Sequence, residues 1–214
     1  MEKEYFVVAN IHESKIGGFM SERLEPIIGV EIVDDIRLGH IFHEVDVIES
    51  LVKQELPLNF VEIGVHEGGL SYLLIPKFTN ICYYTGIEIY CSLIQPKVVQ
   101  MYKDNIGHVT LMCLDCFNPT VFEYISELKN KIVYCDGGNK AKEIAHFKSA
   151  LHHGDIIMCH DFYDGTRKVR AVPVDNISIE VKTSDIQIYE NDTAFERLPE
   201  DMFKETRIIG WKKL

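Results

Sequence analysis

From Asn59 to Asp161 the chain alternates short apolar runs with segments whose apolar residues return every three or four positions. The runs NFVEIGV, CYYTGIEI, HVTLMCL, KIVYCD and DIIMCHD lack a strict apolar–polar alternation. That pattern predicts strands covered by helices on both faces, as in a parallel sheet. The intervening GGLSYLLIPKF, SLIQPKVVQMYKDN, TVFEYISELK and KAKEIAHFKSAL have helical spacing. Upstream, Ile41, Val45, Ile48, Leu51 and Val52 mark a further helix, ended by Leu56-Pro57. Such βα alternation with right-handed crossovers predicts a doubly wound, mostly parallel α/β sheet. The final ETRIIGWKKL has strand propensity and suits an antiparallel strand closing one edge. Residues 1–39, with a strand-like YFVVA, a Gly17-Gly18 break and IIGVEIV, read as an N-terminal arm or cap; residues 40–214 read as one domain.

In a sheet of this kind ligands sit beyond the carboxyl ends of the strands, where the strand order reverses. The first run ends in Glu62-Ile63-Gly64-Val65-His66-Glu67-Gly68-Gly69, followed by a helix carrying Ser71. Gly64 and Gly68 permit a tight turn and close approach of a ligand to the backbone. The pattern is acidic-x-Gly-x-x-x-Gly, not the GxGxxG that seats a pyrophosphate. Glu62 and Glu67 would repel a diphosphate and attract a sulfonium or an ammonium. A strand-to-helix turn that merely needs glycine is the plain alternative.

Glu88 ends the second run, about twenty residues after the glycine loop, where a carboxylate can accept two ribose hydroxyls. Asp115 ends the third, and serves either an adenine amino group or only solvent. The fourth run ends in Asp136-Gly137-Gly138-Asn139-Lys140 and the fifth in His160-Asp161-Phe162. Adjacent parallel strands would bring these ends together, making Asp136, Asp161 and His160 candidate metal ligands. Mg²⁺ would take the carboxylates, Asn139 and waters, whereas a softer ion would tolerate His160. Without a metal, His160 is a proton shuttle or a hydrogen-bonded wall residue.

Other candidates carry less. His40 and His43 lie three apart with no matching acid cluster, and read as a solvated or packed pair. His152 and His153 read as exposed turn residues. Arg167, Lys168 and Arg170 read as surface charges that would line the entrance if the substrate were anionic, and Trp211 as a packed residue of the closing strand.

The formal charge of -11 argues against nucleic-acid or anionic-membrane partners. With 46% hydrophobic residues the chain can bury a sizeable core, yet no run approaches membrane-spanning length. Cys82, Cys113, Cys135 and Cys159 lie in or beside strand-like runs and read as small hydrophobes; Cys113 and Cys116 form a lone CxxC. A cytoplasmic protein with reduced thiols is expected.

FVEIGVHEGGLS resembles the first motif of the class I S-adenosylmethionine-dependent methyltransferases, YTGIEI their second, and LMCLDCF the loop whose acid meets adenine. The resemblance covers roughly residues 41 to 161. It implies a Rossmann-like seven-stranded sheet and S-adenosylmethionine held by Glu62, Gly64, Glu67, Gly68, Ser71, Glu88, Asp115 and Asp136. It also implies methyl transfer to a hydroxyl of a small-molecule acceptor, a sugar or a phenol. YCDGGN with IIMCHDF is similar to the metal-assisted O-methyltransferases of catechol and macrocin type, which implies Asp136 and Asp161 as Mg²⁺ ligands. His160 stands where those enzymes have an acid, and Asn139 where the catechol type has its lysine, with Lys140 next. The implied chemistry is in-line displacement, with Asp136, His160 and Lys140 catalytic and His160 or Lys140 taking the proton; without a metal, His160 is the base. Two rival readings stand beside it. One is an NAD-dependent oxidoreductase, disfavoured by the missing GxGxxG; the other is a non-catalytic adenosyl-binding or assembly module. An arm exchanged between subunits would make a homo-oligomer.

Overall fold

The helix ahead of Leu56-Pro57 forms as α1 (Phe42–Glu55), burying Val45, Ile48, Leu51 and Val52 along one side. Leu56, at φ 47°, turns left-handed and ends it. The computed structural model describes residues 32–165 and 180–214. YFVVA, the Gly17-Gly18 break and the basic run Arg167, Lys168 and Arg170 lie outside the described residues.

A small antiparallel ladder, β1 (Ile32–Val33) with β2 (Ile36–Arg37), precedes α1. The chain then alternates as the apolar pattern predicts: β3 (Asn59–Ile63), α2 (Gly69–Phe78), β4 (Tyr83–Ile87), α3 (Pro96–Asp104), β5 (Val109–Met112), α4 (Pro119–Glu127), β6 (Lys131–Cys135), α5 (Lys140–Phe147) and β7 (Ile156–Cys159). From residue 180 onward come α6 (Gln187–Glu190), β8 (Phe195–Arg197), α7 (Glu200–Phe203) and β9 (Ile209–Lys213). The seven-stranded sheet has the order β5-β4-β3-β6-β7-β9-β8. Strands β3 to β7 are parallel, and β9 runs antiparallel to β7 and β8.

β9 is the antiparallel strand expected on the closing side of the sheet, and β8 pairs antiparallel along its outer side. Three residues, Phe195-Glu196-Arg197, are too short to carry a readable period, so a strand was hidden in what reads as polar loop.

Consecutive strand residues face opposite cores, which is why the runs do not alternate. Phe60, Tyr84 and Tyr134 pack with Ile48, Leu51 and Leu74 on one face. Val61, Val133 and Ile157 pack with Ile125, Ile144 and Phe147 on the other. Trp211 is buried in β9 and stacks on Tyr189.

The reduced-thiol expectation fails at one pair: Cys91 and Cys113 form a disulfide. Parallel pairing of β4 with β5 sets the two strand exits side by side, which brings these Cα atoms to 5.7 Å. Cys82, Cys135 and Cys159 are buried and lie outside the disulfide, as small hydrophobes would. Among the described residues no helix is long and apolar enough to cross a membrane.

Candidate active site

The strand order reverses between β3 and β6, and their exits almost touch. Gly64 has φ +86°, and a Cβ on it would lie 2.5 Å from Gly137 Cα and 2.6 Å from the Asp136 carbonyl oxygen. Only glycine fits between two backbones this close. Above this point opens a cavity of about 570 Å³, of the size that takes a small cofactor.

Glu62 and Glu88 both line this hollow. Glu88, buried at the end of β4, accepts the His66 N–H at 2.7 Å and the Tyr90 N–H at 2.8 Å, fixing both loops that frame the cavity. Asp115 lies on the exposed rim beside Phe117, whose N–H it accepts at 2.9 Å. Glu62 turns one oxygen into the wall, where the Ser71 hydroxyl donates at 2.5 Å and the Tyr84 hydroxyl also donates. Ser71, itself within 2.9 Å of the Tyr102 hydroxyl, is therefore part of that wall and not of the cavity surface.

Glu67 is likewise outside the cavity. Its carboxylate accepts the Arg37 N–H at 3.3 Å and lies 3.9 Å from Arg37 Nε. Gly68 is needed for packing, since a Cβ there would meet Val98 Cγ1 at 2.6 Å. The glycine loop thus gives the cavity one carboxylate instead of two.

Burial raises the Glu62 carboxyl, and the Ser71 and Tyr84 hydroxyls offset only part of this, leaving it at about 7. A carboxyl raised on folding stabilises fully below its unfolded pKa of about 4.3 and loses that contribution as pH climbs through 7. Glu62→Gln is expected to flatten the fall in stability between pH 5 and 8. At pH 8 it should melt higher than the parent, by an amount worth up to about 3 kcal/mol. Parallel melting curves of parent and variant across this range would reject the assignment.

The far end of the cavity is a lattice of charges. Asp136 Oδ1 lies 3.1 Å from His160 Nδ1, and Asp136 Oδ2 lies 3.2 Å from His40 Nε2. The two imidazoles stack with centroids 4.4 Å apart. His160 Nε2 meets Glu44 Oε2 at 3.0 Å, and Glu44 in turn accepts from the Arg207 backbone N–H and guanidinium at 2.9 to 3.2 Å. Asp161 is held by Arg207 Nη1 at 2.9 Å and Lys140 Nζ at 3.1 Å. Lys140 also donates to the Gly137 carbonyl and to Glu180, both at 2.9 Å. Glu143 accepts the Gly137 and Asn139 N–H groups and so pins the glycine turn.

Protonation follows from these contacts. Burial lowers His160, but Glu44 and Asp136 override it and push it up to about 10. Burial and the neighbouring His160 lower His40. Burial would raise Asp136, yet His160 and His40 hold it below the usual carboxylate range. Lys140 is raised by Asp136 and Asp161 against its own burial. Both His160 and Lys140 are thus held as cations, which disfavours either as the proton acceptor; they stabilise Asp136 as an anion.

Of the expected metal ligands, Asp136 and His160 converge, whereas Asp161 has its oxygens taken by Arg207 and Lys140. Asn139 uses its side-chain oxygen to cap α5 through the Lys142 N–H. His40, Asp136 and His160 each bring one donor atom within 4.8 Å of the others. Two imidazole nitrogens and one carboxylate suit a borderline divalent ion better than Mg²⁺, whose shell is built from oxygens. His40, which the sequence offers only as half of a solvated or packed pair, and Glu44 and Arg207, which it does not single out, join this site only through the fold. The one available signal was a lone arginine entering the apolar RIIGW segment.

No protein-family model matches the sequence, and a search of curated proteins finds no significant match. Among solved structures the fold is similar to that of CmcI, seen in an apo form and in a Mg–SAM form. Each superposes with a TM-score of 0.61 at 17% identity, covering 86% of this chain and 76% of the other. A methyltransferase from Geobacter sulfurreducens gives 0.52 at 13% identity, covering 85% and 82%. A caffeoyl-CoA O-methyltransferase-like protein from Staphylococcus aureus gives 0.50 at 18%, covering 86% of each chain. At these identities the likeness is one of fold.

Proposed function

We propose that the protein binds S-adenosylmethionine and transfers its methyl group to a hydroxyl of a small molecule, a sugar or a phenol. The observation that carries this reading is a single cavity at the strand-order switch, with Glu88 at one side and ionised Asp136 at the other. Each Glu88 oxygen accepts one backbone N–H and keeps lone-pair capacity for a ribose hydroxyl. Asp115 and Phe117 on the rim suit an adenine. Asp136 would accept the hydrogen bond of the acceptor hydroxyl and align its oxygen on the methyl carbon. As the new C–O bond forms, the C–S pair returns to sulfur, which becomes a neutral thioether. The proton passes to an Asp136 oxygen; a protonated ether is far more acidic than any carboxylic acid, so even a strongly ionised carboxylate can take it. A divalent ion held by Asp136 and His160 would add Lewis-acid activation of the hydroxyl. The Mg–SAM form of the similarly folded CmcI supports metal assistance as part of this reading.

Calorimetric titration with S-adenosylmethionine, adenosylhomocysteine and NAD⁺ tests the proposal. The first two are expected to bind at least roughly tenfold more tightly than NAD⁺. Binding of NAD⁺ alone would favour an oxidoreductase. Cofactor binding with no methylated product across a panel of sugars and phenols would favour a non-catalytic module.

A further inference from the structure

His40 leads into α1, Asp136 ends β6 and His160 follows β7, yet their side chains converge on one point at the floor of the cavity. We propose that His40 Nε2, His160 Nδ1 and Asp136 form a binding site for a divalent transition-metal ion, of the series from Mn²⁺ to Zn²⁺.

Three features of the geometry carry this. First, the distances suit it. Both ring nitrogens lie within 3.2 Å of an Asp136 oxygen, and the three donor atoms span no more than 4.8 Å. Side-chain shifts of a few tenths of an ångström admit an ion at the roughly 2.0–2.2 Å that nitrogen and oxygen ligands require.

Second, the outer nitrogens are already occupied. His40 Nδ1 lies 3.1 Å from the Leu38 carbonyl oxygen, which can only accept. That places the hydrogen on Nδ1 and leaves a lone pair on Nε2, pointed toward a carboxylate. The Tyr134 hydroxyl meets that lone pair at 2.9 Å and would be displaced from it by an ion, whereas the contact with Asp136 is one acceptor against another. A cation between them resolves it. His160 Nε2 faces Glu44, which Arg207 and the Ile41 N–H hold in place, so Nε2 keeps its hydrogen and an arriving ion would displace the second proton, the one on Nδ1, to ligate there. Carboxylate or carbonyl partners on the far ring nitrogen are how proteins orient metal-binding histidines.

Third, the nearby carboxylate that would make the site oxygen-rich, Asp161, has its Oδ1 3.4 Å from His160 Nδ1 but is already engaged by two cations, Arg207 and Lys140. What remains is a nitrogen-dominated set that disfavours Mg²⁺ and favours ions further along the Irving–Williams order. Both rings are buried, while Asp136 keeps a face on the cavity through which water or a hydroxyl would complete the coordination.

The site shares Asp136 and His160 with the proposed methyl transfer, but its test uses neither cofactor nor acceptor, so each reading can fail alone. The untagged full chain, stripped with chelator, is titrated with Co²⁺ in millimolar Mg²⁺ and followed by visible absorption. One Co²⁺ per chain is expected, bound at least roughly a hundredfold more tightly than Mg²⁺. His40→Gln and His160→Gln should each weaken binding about tenfold to a hundredfold, and His43→Gln should leave it unchanged. In the unaltered protein, substoichiometric Mn²⁺ should broaden the imidazole NMR signals of His40 and His160 before those of His152 and His153, a readout that does not depend on the variants folding. Absence of Co²⁺ bands at millimolar metal, binding undiminished in folded His40→Gln, or first broadening at His152 and His153 would each overturn the site.

Discussion

Replacing Asp136 by alanine is expected to lower acceptor-dependent methyl transfer by roughly a thousandfold while S-adenosylmethionine still binds within a few-fold of the parent. The separation follows from position. Glu88 and Asp115 follow β4 and β5 on one side of the switch point, and the Asp136 carboxylate follows β6 on the other, where it joins the charged lattice. Losing an oriented proton acceptor costs about two to four orders of magnitude in rate. The substitution also leaves His160 with Glu44 as its nearer carboxylate, so a thermal melt must first establish that the variant folds. Calorimetry for the cofactor and mass spectrometry for methylated product then read the two halves independently. Turnover at the parent's rate would remove Asp136 from the chemistry. An equal loss of binding and turnover in a folded variant would move it to the cofactor side.

The largest effect on stability is expected from Gly64→Ala. An added methyl would sit 2.5 Å from Gly137 Cα and 2.6 Å from the Asp136 carbonyl oxygen, both backbone atoms that cannot rotate aside. The residue also holds φ +86°, where a side chain is strained regardless of space. Relief requires the β3 and β6 exits to part at the switch point. Overpacking and strain together are expected to cost about 3 kcal/mol or more, lowering Tm by roughly 10 °C in a chain of this size. Gly154→Ala is the matched control: its φ is +85° but nothing lies within 4 Å of the added methyl. It should cost about 1 kcal/mol. Equal melting temperatures for the two variants would show that crowding at the switch point does not matter.

Much of this fold was legible because strands buried on both faces leave long apolar runs, and helices between them keep a 3.6-residue period. Glu88, Asp115 and Asp136 could be picked out because a parallel sheet places its strand ends on one side. What escaped depends on register. Arg207 reaches Asp161 only because β9 pairs with β7 so that the Phe162 N–H meets the Arg207 carbonyl. His40 and Glu44 reach His160 because α1 lies over the exits of β6 and β7, more than ninety residues away in sequence. Glu67 misled for the opposite reason: it sits in the right loop, but Arg37 of the β1–β2 hairpin draws it outward. The Cys91–Cys113 bridge links residues that share no motif, and only strand adjacency makes them partners.

The place of β9 inside the sheet, between β7 and β8, bears on how the molecule is made. Strands β3 to β6, with the glycine turn and Glu88, are complete well before β9 is synthesised. The Arg207 guanidinium that pairs with Glu44 and Asp161 arrives only just ahead of β9. A nascent chain would therefore build the β3–β5 side of its crevice first and leave Glu44 facing only His160, and Asp161 only Lys140 and His160, until β9 threads into the gap. Early termination ahead of Arg207 should leave the Glu88 side of the cavity intact and unravel the side that Arg207 holds.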